Sequence, residues 1–205
     1  MRLTFGRVLL VAACVGVALP VFHVHRVDAA RNARYASIAT ELAGRPVEVR
    51  CPSFWRKLID VAPNQGTVRI EQGRVSDVTD LSVEICDALD DVAAQRAGEA
   101  LACLPIPADR CRRRLDAVAF GIEALTHESY HLRGILDEAR AECYALQSSV
   151  RTAIALGLTP GEAAALNAYY ASALYARLPS GYHSADCRPG GAFDLRPETP
   201  AWPAG

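Results

Sequence analysis

Neither sign of charge dominates this chain: Lys+Arg number 22 and Asp+Glu 23 in 205 residues, and no basic run is interleaved with aromatics. That balance offers nothing to a polyanion, so no nucleic acid is expected among the partners. No C-x-x-C pair occurs among the seven cysteines, which argues against a structural zinc site built from thiols. No internal repeat divides the chain. Methionine occurs once, as Met1. The apolar run Val8–Phe22 is fifteen residues, short of the ~20 that a spanning helix needs.

That run, preceded by the two positive charges of "MRLTFGR", has the form of an export segment. Val27-Asp28-Ala29 places small residues where cleavage after Ala29 would occur. An uncleaved anchor extended by Leu3–Phe5 is the alternative. The expected organisation is residues 1–30 as signal peptide or N-terminal membrane anchor and 31–205 as a single extracytoplasmic domain, secreted or held at the membrane. Cys14 lies inside the apolar run, leaving Cys51, Cys86, Cys103, Cys111, Cys143 and Cys187. An even number in an exported domain reads as three disulfides. Neighbouring elements usually pack together, which favours Cys51–Cys86, Cys103–Cys111 and Cys143–Cys187 out of the fifteen pairings that six cysteines allow.

The pattern predicts a mainly α domain (α+β) of four or five helices with a small β element. A short helix is expected over 31–44 and a strand over 45–51. A helical turn or two follows in "SFWRKLIDVA", then a hairpin or extended pair over 66–82 around Gln72-Gly73. One helix then runs from an N-cap at Ser82 to the prolines at 105–107. A second begins near Asp109, with Leu115, Val118, Ile122 and Leu125 as its apolar stripe, and Gly134 stops it. A third spans Asp137 to Gly157. Thr159-Pro160-Gly161-Glu162 is a capping box opening a fourth helix, to about Leu178. The remaining tail, rich in Pro and Gly, is expected to be irregular. Arg110, Arg112, Arg113 and Arg114 read as a solvated turn of the second helix, and Phe54 and Trp55 as core or cleft wall.

The chemistry concentrates in "THESYHLRGILDEARAEC", residues 126–143. On a helix His127 and His131 are one turn apart and face the same way. Two imidazoles so placed can bind Zn2+ and leave room for a third ligand and a water. Glu128 then faces the open position, where it can accept a proton from a metal-activated water as general base. The bland alternative is a solvated helix face.

"HESYH" followed by "DEARAECYALQ" resembles the gluzincin metallopeptidases, over residues 126–147 only. The resemblance implies a third metal ligand from E-x-x-A-D-like patterns on a following helix. Glu138-Ala139-Arg140-Ala141-Glu142 fits with Glu in place of Asp, so Glu138 would be the ligand and Glu142 would support a histidine from behind. The spacing departs from the family, because only six residues separate His131 from Glu138. Gly134 must then turn the chain straight back. His127, Glu128, His131, Gly134 and Asp137 equally spell the metzincin pattern, with Asp137 as third ligand. Metzincins need a methionine turn beneath the metal, which this chain cannot supply, and Asp137 is a natural N-cap. Glu142, or no third protein ligand, remains a further alternative. For an oxyanion donor the candidates are Tyr130, Tyr169, Tyr170, Tyr182 and His183. His183 is preferred because a Cys143–Cys187 bond would pin its loop near the third helix.

The function implied is an exported zinc-dependent metallopeptidase acting on a peptide or protein substrate, with the membrane as a partner if the N-terminal segment is uncleaved. The alternatives are a degenerate zincin whose metal is structural or which binds peptides without cutting, and a disulfide-stabilised helical interaction module.

Overall fold

The structure, a computed structural model, describes residues 24–53, 66–71, 74–104, 109–199 and 202. The apolar run 8–22, the segment containing Phe54 and Trp55, and the Gln72-Gly73 turn lie outside the described residues. The architecture is mainly helical with one small sheet, stapled by three disulfides.

Helix α1 covers residues 24–43 of those described. It reaches back further than sequence suggested, and within it Asp28 pairs with Arg31 at 3.1 Å. Its buried face carries Tyr35, Ile38, Ala39 and Leu42. The Tyr35 hydroxyl donates to Asp90 Oδ1 at 2.5 Å, and Arg31 reaches the Pro52 carbonyl at 3.0 Å. Among the described residues no helix is long and apolar enough to cross a membrane.

Three strands follow: β1 (Glu48–Arg50), β2 (Gly66–Glu71) and β3 (Arg74–Leu81). They lie in the order β1-β3-β2, with β1 parallel and β2 antiparallel to β3. A register shift between Val68 and Ile70 interrupts the β2–β3 ladder. On β3, Thr79 and Leu81 are buried, as the two-residue period requires of one strand face.

Helix α2 (Val83–Ala93) starts where Ser82 accepts the Ile85 amide. It is shorter than the single helix expected to run to residue 104. Gln95 adopts φ +58° and breaks it, while Arg96 turns back to pair with Asp91 at 2.9 Å. A separate turn, α3 (Gly98–Leu101), then buries Ala100 and Leu101. Nothing in the periodicity marked this break, because alanines fill both sides of it.

The centre of the molecule is a helix pair, α4 (Asp109–Leu132) and α5 (Glu138–Leu156). The expected stripe on α4 is buried: Leu115, Val118, Ile122 and Leu125 are each 3 % exposed or less. A fully buried leucine contributes about 1.5–3 kcal/mol relative to an exposed one, so this stripe anchors α4 against α2 and α5. Toward the sheet, α4 instead presents polar residues, and these build the site. Helix α6 (Pro160–Tyr169) opens with the expected capping box of Thr159 and Glu162. The chain then widens into a π-helical turn at Tyr170–Leu174 and tightens into 3-10 turns at Tyr175–Arg177 and Ser180–Tyr182, so the regular helix ends short of the expected Leu178. The disulfides Cys51–Cys86, Cys103–Cys111 and Cys143–Cys187 span Cα separations of 5.9, 6.4 and 5.5 Å, ordinary for the bond. Three such bonds belong to an oxidising compartment.

Candidate metal centre

Helix α4 ends at a turn that decides the site. Gly134 takes φ +102°, a conformation that side-chain-bearing residues rarely adopt. Its amide bonds to the His131 carbonyl at 2.8 Å, and the Ile135 amide to the Tyr130 carbonyl at 3.1 Å, the paired bonds of a Schellman turn. Asp137 then accepts the Arg140 amide at 2.7 Å and caps α5. Its carboxylate therefore serves the helix, and the acid delivered to the histidines is the next one, Glu138.

His127 Nε2 lies 2.8 Å from His131 Nε2 and 3.1 Å from Glu138 Oε2, and the last two are 3.3 Å apart. These atoms can hold a metal ion. A tetrahedron with bonds of ~2.0–2.1 Å has an edge of ~3.3 Å, so the rings need part by only a few tenths of an ångström. The opposite ring nitrogens are already committed. His127 Nδ1 faces Glu142 Oε2 at 2.9 Å, and His131 Nδ1 faces the Ile135 carbonyl at 2.6 Å. With Nδ1 donating in both cases, each Nε2 is the nitrogen left to offer a lone pair to an ion at the shared point once any proton there is displaced, which is how outer contacts prepare histidine for a metal. Two imidazoles and a carboxylate suit a divalent transition ion.

Glu142 is 3 % exposed and also accepts the Tyr170 hydroxyl on Oε1 at 2.6 Å. Burial and the charges of Glu123 and Glu142 push the Tyr170 phenol far above its ordinary range, so it stays a hydrogen-bond donor. Glu128 is buried beside the ligands, with Thr79 Oγ1 3.4 Å from its Oε2. Burial pushes its carboxyl up, against the pull of His127 and His131, which suits a proton acceptor. Half-exposed Glu138 is held below the usual range, first by its hydrogen bond to His127.

Burial opposes charge on His127, but hydrogen bonds to Glu138 and Glu142, with the charges of Glu142 and Glu128, outweigh it and raise the imidazole to about 10. Metal-free protein therefore holds a proton on His127 that an incoming ion must displace. Below pH 10 the competition eases as pH rises, so metal affinity should increase about tenfold per pH unit between pH 6 and 9. Chelator-competition titrations check this, and a flat profile would show that no proton is displaced.

Two adjoining lobes open onto the site. One, of about 230 Å³, is lined by Val68, His131, Leu136 and Glu138; the other, of about 500 Å³, by Phe120, Glu123, Leu178 and Pro179. Gly66, Thr67, His127, Glu128 and Tyr182 border both. A larger cavity of about 760 Å³, lined by Glu48, Arg50, Arg69 and Asp80, contains none of the histidines. The Tyr182 ring lies 5.7 Å from that of His127. Its neighbour His183 instead meets Tyr175 edge-on at 4.7 Å between ring centroids and bonds to the Leu178 carbonyl at 3.1 Å. Cys143–Cys187 does tie this loop to α5, but the side chain lining the cleft is Tyr182 rather than the preferred His183. Tyr130 and Tyr169 are engaged by Ser148 and Asp116.

Sequence reasoning missed Gly66, Thr79 and Glu123. Strand β2 passes so close to α4 that a Cβ on Gly66 would lie 2.7 Å from Glu128 Oε1 and 2.8 Å from its Cγ. Gly66→Ala should displace Glu128 or push the strand away, at a cost of about 1–3 kcal/mol of stability. Thermal melting checks this, and an unchanged Tm would show that the site absorbs the methyl group freely. Glu123 was findable, since it sits four residues before His127 and therefore on the same helix face. It is 2 % exposed, and neither of its carboxylate oxygens has a partner. Burial first, then the Glu142 charge, raises its carboxyl well above the usual range. No protein-family model, no curated protein and no solved structure matches this chain.

Proposed function

We propose that the protein is a zinc-dependent peptidase of gluzincin type, working outside the cytoplasm. The observation that supports this most is the convergence of His127, His131 and Glu138 within 3.3 Å, with Glu128 beside the opening they leave. Bound zinc would supply Lewis acidity toward a carbonyl oxygen and toward water. The protein's own parts do the rest. Glu142 fixes the ring of His127 through Nδ1 and is itself fixed by Tyr170. Glu128 takes a proton from the attacking water and passes it to the leaving amine. Tyr182, bordering both lobes, donates to the oxygen on which charge develops.

The test strips the protein with a chelator, restores stoichiometric zinc, and screens a broad peptide library. Cleavage that disappears with the metal and returns with it is expected. Zinc uptake without any cleavage would favour a degenerate zincin, with a structural metal or a peptide-binding role. Failure to bind zinc would leave a disulfide-stabilised interaction module.

A further inference from the structure

The lobe on the Phe120 side pairs apolar walls with three buried acids, of which Glu123 alone lacks a hydrogen-bond partner. Phe120, Ala124, Leu178 and Pro179 line it, together with Glu123. Ser149 faces Glu123 and eases its charge, but the donors around the carboxyl make their close hydrogen bonds elsewhere. The Tyr170 hydroxyl and His127 Nδ1 both go to Glu142, at 2.6 and 2.9 Å. Ser149 Oγ donates to Asn167 Oδ1 at 2.9 Å, and Asn167 Nδ2 to the Leu146 carbonyl at 3.1 Å. Among the described residues no lysine or arginine lines either lobe, while Glu128, Glu138 and Glu142 add to the acid. A buried carboxyl is either neutral or paired, and a cation entering from the lobe would supply the close partner that Glu123 lacks within the chain.

We infer that this lobe takes the side chain of a lysine or arginine in the bound peptide, its stem against the apolar walls and its cationic nitrogen on Glu123. The inference rests on the peptidase reading for the peptide's presence across the metal centre. Glu123 lies one helical turn from His127, about 5–6 Å between Cβ atoms, within reach of such a side chain placed beside the scissile bond. Shielding from water strengthens a charge-assisted hydrogen bond there. A free N-terminal amine offers the same chemistry at shorter reach.

The experiment uses the zinc-loaded full chain and N-acetylated peptides that differ at one position: lysine, arginine, norleucine or citrulline. Hydroxamates of lysine and norleucine, whose binding requires metal but no turnover, are run in parallel. The charged residues should be preferred over norleucine and citrulline by tenfold or more in kcat/KM. The hydroxamate Kd ratio should move the same way, and Glu123→Gln should bring both ratios near one. Equal handling of lysine and norleucine by the wild type overturns the inference, and this comparison requires no variant to fold. A preference unmoved by Glu123→Gln also overturns it. Activity only on peptides with a free N-terminus would assign Glu123 to the amine and overturn the side-chain assignment. If no peptide is cleaved but lysine hydroxamate still binds preferentially, the pocket stands and the peptidase reading falls.

Discussion

Glu128→Gln should leave zinc stoichiometry unchanged and reduce peptide hydrolysis by about three orders of magnitude, toward the upper end of what a positioned base contributes. The substitution keeps the volume that Gly66 and Thr79 accommodate, and removes only the ability to take a proton. Glu128 stands outside the ligand set, since the atoms that converge belong to His127, His131 and Glu138. Metal content should therefore report on the ligands and turnover on Glu128. Loss of both in the variant would mean that Glu128 itself ligates. Equal turnover by variant and wild type would remove the assignment of a general base.

Removing the Cys143–Cys187 bond should be the largest single blow to stability. The bond closes a loop with a sequence separation of 44, for which the chain-entropy relation gives about 4 kcal/mol. In a domain of this length that corresponds to a fall in Tm of roughly 8–16 °C. The double variant Cys143→Ala/Cys187→Ala avoids a stray thiol, and thermal melting under non-reducing conditions reads the effect. Activity should fall as well, because the bond tethers the segment that carries Tyr182. Gln147 also fastens the tail, bonding through its side chain to the Phe193 carbonyl and the Leu195 amide, each at 2.8 Å. A Tm shift within 2 °C would show that these hydrogen bonds alone hold it.

How much of this was legible depended on whether the determining contacts were local. The ligand face of α4 could be read because His127 and His131 recur at helical spacing. Asp137 could be read as a cap because the N-cap preference is strong, and once it caps α5 the choice of Glu138 follows. Glu142 follows from one further turn. The pairing of six cysteines was readable because each bond joins cysteines that follow one another along the chain. Long-range packing was not readable. No periodicity announces that β2 crosses Glu128 so closely that a Cβ at 66 would displace its carboxylate, or that Thr79 on the central strand points its hydroxyl at the same carboxylate. Tyr182 and His183 are neighbours with similar candidacy, and which of them faces the cleft is set by the turn at Ser180–Tyr182 and by the edge-on contact of His183 with Tyr175. The break after α2 hinges on the backbone of Gln95, a residue type that rarely signals one.

The turn at Gly134 also bears on the order in which the machinery assembles. Glu138 meets His127 across a sequence separation of 11, and Glu142 meets it across 15. Thr79 reaches Glu128 only across 49. Closing short loops costs less chain entropy and proceeds faster than closing long ones. A helical hairpin of modest contact order thus suffices to bring His127, His131 and Glu138 together, whereas Glu128 is set in place only once the sheet has docked. On the proposed reading, a site able to take the ion would form before the residue proposed as its proton acceptor is positioned.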